Sequence, residues 1–133
     1  MTFRKKVLRE VTLSSYEKRP QQNSNKDDWT LISDYISRNY HDSNINSSTI
    51  AKNLSLNTKR INDCVKANMQ STLKVYLNDL RMREAIRLLL ETELQVNQIA
   101  YDIGYSTVSH FNRVFKSYKN ISPSEFRKAK YKE

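Results

Sequence analysis

Glycine occurs once in these 133 residues, proline twice and cysteine once. A chain this poor in glycine and proline has few places for tight β-turns, and its apolar residues return at a 3.6-residue period, which predicts an all-α fold. The lone Cys64 excludes an internal disulfide and any CxxC metal or redox pair. The two histidines, His41 and His110, are far apart and stand in no HExxH-like frame. No glycine loop to cradle a phosphate, no nucleophile with its base and no carboxylate dyad can be picked out, so no enzyme, cofactor or metal is expected. Mean hydropathy is -0.77 and no apolar run approaches the roughly 18 residues of a membrane span. Met1 to Lys6 has basic residues but no apolar stretch behind them, so a secretory signal is not expected and a cytoplasmic location follows by default.

Positive charge, by contrast, is abundant. Twenty-three Lys and Arg against fourteen Asp and Glu give +9 and a pI near 9.7. That balance favours a polyanionic partner, although a merely soluble basic surface would show it too.

Residues 1–28 are polar and lack a sustained period, and read as a flexible basic arm or the remnant of an upstream domain. Arg4, Lys5, Lys6 and Arg9 there could follow a groove or simply be solvated. From Asp28, a good N-cap, Trp29, Ile32, Tyr35, Ile36 and Tyr40 trace an amphipathic stripe. Asn46 can cap a short helix with Ile50, Ala51 and Leu54, and Asn57 a third with Thr58, Ile61, Cys64, Val65 and Met69 turned inward. A long helix runs from Thr72 to about Thr92, followed by short ones over 95–103 and 106–118. In "SPSEFRK" Ser122 as N-cap, Pro123 at N1 and Glu125 at N3 form a capping box. The expected organisation is about seven helices: a first subdomain over 29–70, a linker helix over 71–92 and a second subdomain over 93–133.

A repeat runs through this pattern. Ala51, Leu54 and Leu56 return 49 residues later as Ala100, Ile103 and Tyr105, and Ile61 and Val65 return at an offset of 50 as Phe111 and Phe115. Each copy is a short helix, a tight turn and a longer helix, the helix-turn-helix plan. The turn of the second copy holds the only glycine, Gly104, where positive φ is expected, and the first has Ser55 there. On a helical wheel, Val108, Val114 and Phe115 lie within about 60° of Phe111, with Ser109, Arg113 and Lys116 opposite and His110 and Asn112 flanking them. In the first copy Lys59, Asp63 and Lys66 lie opposite Ile61, flanked by Arg60 and Asn62. Arg and Asn can read guanine and adenine, Asp can accept from cytosine, and Lys can neutralise phosphate. His110 can equally be a plain surface residue. A linker of about 20 residues is about 30 Å long, near the ~34 Å of one DNA turn, so one chain could set two helices in successive major grooves.

These residues resemble the DNA-binding domain of the AraC/XylS family of bacterial transcription regulators over about residues 29–129. The stretches "IAYDIGYSTVSHFNRVFKSYKNISPSEFR" and "LNDLRMREAIRLL" carry the resemblance. It implies sequence-specific binding of promoter DNA and, commonly, activation through RNA polymerase; from the two-groove geometry the chain is expected to bind as a monomer, in the nucleoid of a bacterial cytoplasm. Arg81, Arg83 and Arg127 are candidate phosphate contacts. Glycine, usual in the family after each recognition helix, is replaced by Gln70 and Asn120; Gln tolerates a left-handed cap poorly, so the first copy is expected to end differently. Asp63 stands where a basic residue is common and must read cytosine or pair with Lys59 or Arg60. With 28 residues ahead of the first subdomain, control is expected from expression level or a partner protein. The alternative is a co-regulator that keeps the fold but acts on polymerase or a chaperone-like partner.

Overall fold

The computed structural model describes residues 24–132, which form helices and their connections with no strand among them. The basic arm with Arg4, Lys5, Lys6 and Arg9 lies outside the described residues. Seven helices follow in chain order: α1 (Ser24–Asn39), α2 (Ser47–Leu54), α3 (Thr58–Met69), α4 (Leu73–Glu91), α5 (Val96–Asp102), α6 (Val108–Lys119) and α7 (Pro123–Lys132). Helix α1 begins at Ser24, ahead of the expected cap at Asp28. Asp27 places a negative charge in its first turn, where the helix dipole favours one, and the Asp28 carboxylate is engaged elsewhere.

Contacts divide the described residues into two compact units, 24–39 with 45–76 and 40–44 with 77–132. The long helix α4 is shared, its residues 73–76 belonging to the first unit and the rest to the second. In the first unit Ile32, Ile36, Ile50, Ile61 and Val65 are fully buried and Cys64 nearly so. Trp29 is half-buried against Tyr76, ring centroids 5.9 Å apart. Two residues expected to face this core do not. Thr58 and Met69, the first and last residues of α3, are exposed, because at a helix end there is no neighbouring turn to pack against.

The second unit is built on Ala85, Leu88 and Leu89 of α4, Ile99 and Ala100 of α5, and Phe111 and Phe115 of α6. Phe126 of α7 closes on Phe115 with near-perpendicular rings. Burying each of these aromatic side chains is worth about 1.5 to 3 kcal/mol.

The repeat recurs in the hydrogen bonds. Leu56 N–H donates to Ala51 C=O at 2.9 Å, and Tyr105 N–H to Ala100 C=O at 3.0 Å. The Asn57 side chain accepts from Arg60 N–H, and Thr107 from His110 N–H. Both longer helices end on a left-handed residue, Gln70 (φ 52°) and Asn120 (φ 69°), whose N–H groups bond Lys66 and Lys116 carbonyls. The different ending expected for the first copy is therefore not found; Gln70 takes the strained conformation.

The turns match less closely. Ser55 (φ 58°) and Gly104 (φ 113°) both have positive φ, but a Cβ on Gly104 would come within 2.7 Å of both Arg81 Nε and the Tyr40 carbonyl oxygen. Only glycine fits there.

Candidate nucleic-acid interface

Helices α3 and α6 are the second helices of their copies, and each buries one side and presents the other. On α6, Phe111 and Phe115 anchor the helix while Ser109, Asn112, Arg113 and Lys116 are exposed. His110 is half-buried, its ring edge-on to Tyr105 at 5.1 Å. The aromatic anchors fix the rotation of the helix, so its polar face is set by packing. That face holds two cations, Arg113 and Lys116, and α6 carries no acidic residue.

The face of α3 is different. Lys59, Asn62, Asp63 and Lys66 are exposed, and Lys59 Nζ lies 2.7 Å from Asp63 Oδ2. Arg60 turns away from this set. Its Nε donates to Asp28 Oδ2 at 2.6 Å, with both side chains mostly covered. The hydrogen bond to Asp28 raises the guanidinium pKa, and this bond fastens α3 to α1. Of the five residues expected on this face, four remain available to a partner. Nothing local in the sequence signals the Asp28–Arg60 pair, whose members are 32 residues apart.

Two of the three candidate phosphate contacts are engaged inside the second unit. Arg81 is buried, its Nε donating to Tyr40 C=O at 2.7 Å and its Nη2 to Asp42 C=O at 3.1 Å. Its guanidinium carbon lies 5.3 Å from the Tyr105 ring centroid. Burial lowers the guanidinium pKa and raises that of the Tyr105 phenol to about 12. The Tyr105 hydroxyl donates to Asn78 Oδ1 at 2.7 Å. Arg127 donates through Nε, Nη1 and Nη2 to the carbonyls of Leu89, Leu94, Leu88 and Thr92. These carbonyls include the unpaired end of α4. Both arginines hold the fold, and neither side chain is free for phosphate. Arg83, on α4, is exposed.

Two helix-turn-helix motifs in tandem, each with a second helix whose outer face is polar, define a class of protein. A helix-turn-helix domain family matches residues 50–129, and the chain belongs to that family, in its AraC/XylS branch. Among its relatives is the transcriptional activator NphR of Rhodococcus sp., 32% identical over 102 residues, which are 77% of this chain and 30% of that protein. The chain thus spans about a third of the curated relatives it matches. The C-terminal domain of the two-component response regulator yesN from Fusobacterium nucleatum superposes with a TM-score of 0.69 at 34% identity, over 73% of this chain and 94% of that one. The DNA-binding domain of AdpA, solved with a target DNA, shares the fold at a TM-score of 0.70 and 18% identity, over 76% of this chain and 90% of that one. These relatives are transcription regulators and not enzymes. No helix among the described residues is long and apolar enough to cross a membrane.

Proposed function

We propose that this chain is a sequence-specific DNA-binding transcription regulator, an activator, that places α3 and α6 in two adjacent major grooves of promoter DNA. The observation that carries this reading is the exposed face of α6, where Ser109, Asn112, Arg113 and Lys116 project from a helix fixed by Phe111 and Phe115. Such a face offers guanine and adenine readers beside a phosphate-neutralising lysine. The 19 residues of α4 make a helix about 28 Å long, which supports half-sites about one turn apart. Arg83 serves as a phosphate contact, the chain acts as a monomer in the bacterial cytoplasm, and RNA polymerase is its protein partner.

Selection from random duplex DNA tests this reading. Two half-sites about ten base pairs apart are expected, with affinity falling about 10³- to 10⁵-fold between 50 and 200 mM salt if 6 to 10 phosphates are neutralised. Arg113→Ala should cost about 1 to 3 kcal/mol at one base position and relax selection there. An equal loss on every sequence would reduce Arg113 to a phosphate contact. Enrichment of no sequence at all would favour the co-regulator reading, to which the internally paired charges of α3 lend weight.

A further inference from the structure

The two recognition faces differ in kind. The face of α6 offers two cations and one amide, whereas that of α3 offers an exposed carboxylate clasped by an exposed ammonium one turn earlier, the side chains of Lys59 and Asp63 being 84% and 58% exposed. Within a DNA complex a carboxylate is repelled by every phosphate and by the acceptor atoms of the base edges. The major groove holds only two kinds of hydrogen-bond donor, the N4 amino group of cytosine and the N6 amino group of adenine.

Their surroundings separate them. Adenine N6 lies between two acceptors, its own N7 and the O4 of the paired thymine. Cytosine N4 has one acceptor neighbour, O6 of the paired guanine, and on its other side only a C–H edge. At a C·G pair one cationic donor answers the single neighbouring acceptor, the carboxylate on N4 and the ammonium on O6, whereas at A·T a second acceptor would still face the carboxylate. Lys59 and Asp63 form such a couple, with Nζ and Oδ2 2.7 Å apart. Lys59 is the second residue of α3, in the N-terminal part of a recognition helix that contacts base edges. Arg60, the residue that would otherwise compete for the guanine, is bonded to Asp28.

We propose that the Lys59–Asp63 pair is the specificity element of the first half-site and selects a C·G base pair, Asp63 accepting from cytosine N4 while Lys59 donates to O6 of the paired guanine. This rests on the DNA-binding reading above. The carboxylate also weakens binding wherever no amino group faces it, so α3 contributes discrimination more than affinity.

The experiment is selection from random duplexes with the full chain and with Asp63→Asn, Lys59→Met and Arg113→Ala, each checked for unchanged helicity and melting. Arg113→Ala identifies the half-site read by α6. In the other half the unsubstituted protein is expected to enrich one C·G pair, preferred by about 5- to 150-fold. Asp63→Asn should erase that preference or move it to adenine, which an Asn side chain can read. Lys59→Met should weaken selection of the same pair, and both variants should leave the α6 half-site unchanged. Identical consensus sequences for the full chain and Asp63→Asn, with affinity rising equally on all of them, would overturn the proposal. Enrichment of the α6 half-site alone would overturn it too, while leaving the regulator reading intact. If the unsubstituted chain enriched no sequence, both would fall together.

Discussion

At the scale of single residues, the second unit depends on a small set of groups around Gly104. Arg81 reaches past that glycine to the Tyr40 and Asp42 carbonyls and lies over the Tyr105 ring. Gly104→Ala should destabilise by about 1 to 3 kcal/mol from its backbone conformation alone, and further by driving a methyl group against Arg81 and Tyr40. Urea denaturation measures the loss. The sequence discloses the positive φ of Gly104, since a lone glycine in a turn has few other uses. It cannot disclose the Arg81 contacts, whose partners lie 41 and 39 residues away. Tyr105 adds a dependence on pH. Burial raises its pKa to about 12, so between about pH 10 and 12 the unfolded chain has released a proton that the folded one keeps. Stability should be unaffected by this group below pH 10 and fall as pH rises through that window. Denaturation across the alkaline range should show a shallower fall in Tyr105→Phe, with a residue of slope from Tyr40 and Tyr118, whose pKa values burial also raises.

Among the elements, helix ends are most legible from sequence because their chemistry is local. Asn46, Asn57 and Ser122 cap α2, α3 and α7 as their side chains predict, and the Ser122–Glu125 box closes with bonds of 3.0 and 3.1 Å. The start of α1 is misplaced because Asp28, a fair cap by type, is claimed by Arg60 from a distant part of the chain. At the far end of α3, Gln70 occupies a left-handed position that costs a residue with a Cβ about 1 kcal/mol. Gln70→Gly should therefore raise stability by about that much and lift the melting temperature by a few degrees. The same change at Asn120 should gain less, since Asn tolerates this conformation better.

Over the whole molecule, the repeat is visible in sequence because offsets of 49 and 50 bring apolar residues back in the same order, and the turn and cap hydrogen bonds return at the same offsets. The candidate faces of α3 and α6 follow from it by helical geometry. Which cations on them are free does not follow, because long-range pairs decide it. Arg127 illustrates the difference. As a phosphate contact it would reduce the salt slope of DNA binding by about one when replaced; as the clasp on α4 its replacement by Met should leave that slope alone and cost about 2 to 4 kcal/mol of folding stability. Denaturation and a salt titration on the same variant separate the two. The clasp also imposes an order in time. Ribosomes add about 5 to 20 residues per second, and the residues of the first unit end at 76. The second cannot bond the end of α4 until Arg127 has been synthesised and has left the exit tunnel, so the whole of α6 emerges about 0.4 to 1.6 s before that arginine.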